Sequence, residues 1–167
     1  MAIDQWELRS AASRRAATRT YATSGYGKKK GFLCHSHQDR DLALGLQQTL
    51  KEDGLELYID WQDSEMPSAP NRDTASRIQR AIREANVFLF LATQASMASR
   101  WCPWEIGYAD GVMVPNQIAI VPTRDGYGNF HGNEYLQLYR RIDRISPGAP
   151  LSWFTAGGSY PFGISTF

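Results

Sequence analysis

Glu105 is the one glutamate in "SRWCPWEIGYADG" (99–111), set among Trp101, Cys102, Trp104, Ile106 and Tyr108. Pro103 has no amide proton and is comfortable only in a first helical turn. A helix therefore begins around 99–102, with Glu105 in its first or second turn. Trp101 and Glu105 are four residues apart, so indole and carboxylate share a face. A helix N-terminus favours the anion by about 0.3–1 kcal/mol, which predicts an ionised Glu105 at neutral pH beside an aromatic wall. Taken alone, the pair fits an amphipathic surface helix with core tryptophans equally well.

Other groups able to do chemistry are few. His35, Ser36 and His37 follow a short apolar run, and Asp60 and Trp61 follow another. His35 reads either as a ligand or as a hydrogen-bonded residue capping a sheet edge. Cys102 adjoins this group but reads as packing, since no histidine base is near it in sequence. Cys34 reads as core at a strand end. The three histidines have no Cys-x-x-Cys companion, so no metal site is expected. Gly25, Gly27 and Gly31 precede a strand instead of following one, and Lys28 is followed by lysine. Neither a dinucleotide fingerprint nor a P-loop is satisfied.

These residues need elements to hold them. "GFLC" (31–34), "LELYID" (55–60), "NVFLFLAT" (86–93) and "QIAIVPT" (117–123) read as strands. Between them, "DRDLALGLQQTLKEDG" carries Leu42, Leu46 and Leu50 at helical spacing, and "TASRIQRAIREA" carries Ile78, Ala81, Ile82 and Ala85. "NEYLQLYRR" reads as a further helix and "IDRI" as an edge strand. Alternating strands and helices predict a doubly wound parallel sheet with helices on both faces. Ligands bind such sheets beyond the carboxyl ends of the strands. His35 to His37, Asp60, Trp61 and the segment leading to Glu105 all fall on that rim.

The 167 residues suit one domain, and 43% hydrophobic with 21% charged content is ordinary globular composition. Net charge +1 argues against a dedicated nucleic-acid binder. No run of 18 apolar residues predicts a membrane span, and no apolar stretch at the start reads as a secretory signal. A cytoplasmic protein with two reduced thiols is expected. Residues 1–28 read as a basic helix (about 5–18) and linker ahead of a domain over 29–167. Residues 1–30 hold seven basic groups against two acidic ones, a net +5. That fits a solvated peripheral helix better than a basic arm for a partner. The aromatic, glycine-rich end, "LSWFTAGGSYPFGISTF", folds back on the domain or makes an interface.

Four blocks in order, "FLCHSHQDRDLALGL", "LYIDWQD", "RIQRAIREANVFLFLAT" and "SRWCPWEIGYADG", resemble the bacterial branch of the TIR domains over about residues 29–145. The resemblance implies a flavodoxin-like sheet of five parallel strands. It implies NAD as substrate, no separate cofactor, and cleavage at the nicotinamide–ribose bond. Glu105 and Trp101 match the catalytic Trp-x-x-x-Glu pattern, with His35, Ser36, His37, Asp60, Trp61 and Cys102 around the substrate. Animal members tend to carry basic groups after the first strand, where this chain has Ser36 and His37. The loop 61–73, thirteen residues with Pro67 and Pro70, corresponds to a mobile assembly loop and implies self-association.

The chemistry fits the residues. Nicotinamide in NAD is already a pyridinium cation and leaves without a general acid. Its departure makes an oxocarbenium-like ribose that one carboxylate can stabilise, and an aromatic wall can stack on the flat cation. The expected function is an NAD nucleosidase making ADP-ribose or a nucleotide signal in bacterial antiphage immunity, with a separate sensor or effector protein. The alternatives are a non-catalytic TIR adaptor and an effector-like binder of host TIR proteins.

Overall fold

A computed structural model describes residues 2–17, 29–67, 69–135 and 137–164. Five parallel strands form the centre: β2 (Lys29–Cys34), β3 (Leu55–Tyr58), β4 (Val87–Ala92), β5 (Ile118–Arg124) and β7 (Arg140–Arg144). Their order is β3-β2-β4-β5-β7. The order reverses between β2 and β4, which is where a doubly wound sheet opens a crevice. β1 (Ile3–Asp4) and β6 (Phe130–His131) pair with the last two residues of β5.

The strands are apolar on both faces because helices cover both. Leu33, Leu89, Leu91, Ala119 and Val121 point to one side, where α1 (Gln5–Ala17) and α2 (Arg40–Glu52) pack. Phe32, Cys34, Phe88, Phe90, Ala92, Ile118 and Ile120 point to the other. There they meet Ile78 and Ile82 of α3 (Arg72–Glu84) and, beyond the single-turn α4 (Gln94–Met97), Cys102, Ile106 and Ala109 of α5 (Cys102–Val112). The alternation is the two-residue period of a strand. Every residue of β4 is buried, as expected at the middle of a parallel sheet.

The segment "NEYLQLYRR" is not the expected helix. It holds a single 3₁₀ turn, Asn133–Tyr135, and its end enters β7. Pairing of Arg140 and Arg141 with Ala119 and Ile120 of β5 overrides its helical preference. "IDRI" is correspondingly not an edge. The chain end returns as β8 (Leu151–Phe154), antiparallel to β7, and β9 (Pro161–Gly163) completes the sheet. Trp153 is buried and donates its indole N–H to the carbonyl of Ile164 at 3.2 Å, so the aromatic end folds back on the domain.

The N-terminal helix forms where expected, but it is not a peripheral solvated element. Ile3, Leu8 and Ala11 are buried, and α1 lies against α2 backbone to backbone. A Cβ on Gly45 of α2 would stand 1.8 Å from the carbonyl oxygen of Leu8, so only glycine permits this approach. Arg124 grips Asp4 through two contacts of 2.5 and 2.6 Å, and Arg144 meets Glu7 at 2.9 Å. Of the expected linker "TSGYGKKKG" (23–31), residues 29–31 belong to β2 and the rest lies outside the described residues.

The loop 61–73 is shorter than expected. Its start is a 3₁₀ turn, Asp60–Gln62, and Arg72 already belongs to α3. Met66 packs against the α3/α5 core, Tyr58 donates to Asp63 at 2.8 Å, and Arg77 pairs with Glu65 at 2.7 Å.

Candidate active site

A cleft of about 710 Å³ opens at the carboxyl ends of the strands, within the range of small-molecule sites. It gathers His35, Ser36, His37, Asp60, Trp101 and Glu105, six of the eight residues expected around the substrate. Trp61 and Cys102 are not on its wall. Trp61 stands behind His35, and Cys102 is fully buried in the α3/α5 core. Cys102 turns inward because it opens α5 on the face that packs on the sheet.

Glu105 sits in the first turn of α5, and its amide donates to the carbonyl of Trp101 at 2.9 Å. One turn apart, indole and carboxyl reach the same wall of the cleft. Burial works against the ionised state expected of Glu105. The residue is only 6% exposed, and loss of water pushes its carboxyl up to about 8, with Cys102 and Asp60 adding to the rise and a hydrogen bond with Cys34 opposing it. A helix N-terminus contributes a few tenths of a kcal/mol to about 1 kcal/mol, too little against burial of a charge. Burial therefore favours the protonated form of Glu105 at neutral pH.

Trp104 is 37% exposed. Its ring meets Trp101 edge-on at 5.4 Å and stacks on Tyr108 at 6.1 Å. It is not the core anchor that an apolar neighbourhood in sequence implies, because it lies about 100° around the helix from the buried Glu105.

His35 is a neutral, fully engaged imidazole. Its Nδ1–H points to the carbonyl of Leu33 at 3.1 Å, and its Nε2 accepts the indole N–H of Trp61 at 2.8 Å. Burial lowers its proton affinity against the pull of Asp60. The 3.9 Å approach of Asp60 to Nε2 is therefore not an ion pair. That leaves Oδ1 of Asp60 buried and without a hydrogen-bond partner among the described residues, on the cleft wall. An orphaned acceptor of this kind is costly unless a ligand hydroxyl satisfies it.

Several cleft residues were not legible as such in the sequence. Asp39 is buried, accepts from the Thr93 hydroxyl at 2.5 Å, and has its carboxyl raised by burial. Gln5, Asp125 and His131 also line the cleft. Gln5 comes from α1 and donates to Thr123 at 3.1 Å, a pairing across 118 residues that no local signal announces. The cleft is thus rich in carboxyl groups, and no lysine or arginine lines it among the described residues. Arg40 is near the rim, its guanidinium 4.2 Å from the ring centre of Trp61.

Fold and site together define a doubly wound α/β domain with a buried glutamate and a tryptophan on one wall of its switch-point cleft. The chain belongs to the TIR domain family, whose profile matches residues 32–146. It is 33% identical over 112 residues to a protein of Bacillus cereus (strain MSX-D12) named "Probable 3' cyclic ADP-D-ribose synthase ThsB'". The alignment covers 65% of this chain and 57% of that relative, so the chain spans little more than half the relative's length.

Proposed function

We propose that this chain cleaves NAD at the nicotinamide–ribose bond and makes a cyclic ADP-ribose as its signal. The observation that carries this is a buried carboxyl on the wall of a cleft of about 710 Å³, one helical turn from an indole. The relative's name supports the cyclic product. NAD is the substrate, and no further cofactor enters.

The pyridinium ring stacks against Trp101 and its positive charge favours the anion of Glu105. Binding the cation is thus coupled to release of the Glu105 proton. As nicotinamide leaves with the bonding electrons, the positive charge moves to the ribose, and the carboxylate beside it stabilises that charge. Oδ1 of Asp60 accepts a ribose hydroxyl. The pyrophosphate meets Ser36, His37 and the amino end of α2.

In this reading the domain acts as a cytoplasmic enzyme of antiphage immunity, passing its nucleotide to a separate effector. Self-association through 61–73 is part of it, supported by the anchored form of that loop and by exposed Glu65 at its tip. The test is incubation of the purified chain with NAD over a range of protein concentrations, with products separated by mass-resolved chromatography. Nicotinamide and a cyclic ADP-ribose in equal amounts are expected, with specific activity rising with concentration. Intact NAD at high protein concentration refutes the enzymatic reading and leaves a TIR interaction module.

A further inference from the structure

Capture of the ribosyl cation by a hydroxyl leaves a proton that Glu105, placed on the cation itself, does not account for. We propose that His131, oriented by Asp125, is the general base that takes this proton. The assignment rests on the NAD-cleaving reading above.

Three imidazoles line the cleft. His35 has both nitrogens committed, to Leu33 and Trp61. His37 is exposed at the rim, 6.3 Å ring to ring from His35. His131 places Nε2 3.3 Å from Oδ2 of Asp125. Asp125 is held in turn by the amides of Tyr127 and Asn129, each at 2.9 Å, and by the side-chain amide of Asn129 at 3.0 Å. These donors keep Asp125 an anion. With Nε2–H given to Asp125, the lone pair of His131 is on Nδ1. This is the histidine–carboxylate logic of acyl-transfer enzymes, in which the acid fixes the tautomer and steadies the imidazolium.

The dyad stands on a pinned hairpin. His131 of β6 faces Thr123 of β5, whose hydroxyl donates to the carbonyl of Ala92 at 2.5 Å and accepts from Gln5. Gly132 follows at φ 93°, and a Cβ there would come 2.5 Å from the Cβ of Ala92. The hairpin backbone therefore lies directly on the end of β4, and the imidazole is carried over the strand ends on an element separate from Glu105.

The step balances without another reactant. The C1–N bond of the ribose breaks and its electron pair neutralises the pyridinium. The oxygen of water, or of a hydroxyl in the same nucleotide, forms the new C1–O bond. Its proton passes to Nδ1 of His131 and then to solvent.

Exchange of labelled nicotinamide into NAD separates the two halves of the reaction. Exchange breaks and remakes only the C1–N bond and moves no hydroxyl proton. The full chain is given NAD and labelled nicotinamide, and both exchange and ribosyl products are followed. His131→Gln should lower product formation about 100-fold or more, the usual scale for loss of a general base, with exchange far less affected. Asp125→Asn, removing the orienting charge, should show the same split at about tenfold. Equal loss of exchange and product in His131→Gln, or no loss of either, overturns the proposal. A wild-type chain showing neither exchange nor product refutes the NAD-cleaving reading itself, and the base assignment with it.

Discussion

Trp61 donates its indole N–H to Nε2 of His35 at 2.8 Å, across 26 residues of sequence. The contact fixes the tautomer, keeps His35 uncharged, and turns Trp61 away from the cleft wall. It makes the pair a structural clasp between the ends of β2 and β3, with His35 offering substrate no free nitrogen. Trp61→Phe keeps a ring under Arg40 and removes only the donor. A buried acceptor left unmatched costs about 1–3 kcal/mol. Urea unfolding should show that loss, with nicotinamide release at saturating NAD close to wild type. A large fall in turnover with unchanged stability would return Trp61 to the substrate site.

Glu105→Gln should lower NAD cleavage by about 10²–10³ or more, the scale for losing one preorganised electrostatic partner. The same change should stabilise the empty domain in a pH-dependent way. Glu105 holds its proton up to about 8 in the fold, whereas an unfolded glutamate loses it near pH 4.3. Its contribution is complete below the unfolded value and is lost as pH rises towards about 8, at up to about 1.4 kcal/mol per pH unit. Glutamine has no proton to lose. The melting temperature of Glu105→Gln should therefore pull ahead of wild type steadily between pH 5 and 8. Parallel melting curves across that range would show Glu105 to be ionised in the fold.

The pH–rate profile follows from the same burial. If cleavage needs the carboxylate, kcat/KM should rise about tenfold per pH unit below about 8 and level off above it, because that ratio reports the free enzyme. A profile already flat from pH 6 would mean that the working carboxyl is not the buried one.

Trp101→Ala should raise KM and lower turnover, since Trp101 lines the cleft beside Glu105. Trp104→Ala should cost well under the 3–5 kcal/mol of a buried tryptophan, because the ring is part-exposed and rests on Tyr108. Comparing melting temperature and kcat/KM for the two variants separates the faces of α5. An inactive but stable Trp104→Ala would place the substrate on the other face.

Gly45→Ala puts a methyl group into the carbonyl of Leu8. It should force α1 off α2, cost about 1–3 kcal/mol as overpacking does, and move Gln5 away from Thr123. Thermal unfolding with a NAD titration checks both effects. Wild-type stability and KM in Gly45→Ala would show the N-terminal helix to be dispensable to the cleft.

The strand and helix rhythm was legible because each element carries its own period. β4 is apolar throughout, α3 repeats Ile78 and Ile82 on one face, and Pro103 marks where α5 begins. The rim was legible for the same reason, since in a parallel sheet strand ends predict where ligands bind. That alone brings Glu105, Trp101, His35, Ser36, His37 and Asp60 to one rim, where they line one cleft. What tertiary structure decided was everything that depends on partners distant in sequence. The proton affinity of Glu105 is raised by burial, Cys102 and Asp60 against a hydrogen bond with Cys34, none of which a helix-terminus argument weighs. Trp61 and Cys102 left the cleft wall because His35 and the sheet claimed their side chains. Gln5, Asp125 and His131 joined it through pairings of β1, β5 and β6, and Asp39 through the Thr93 hydroxyl, none of which a local pattern encodes. Periodicity is a property of consecutive residues, whereas burial and proton affinity belong to the space that distant segments close together.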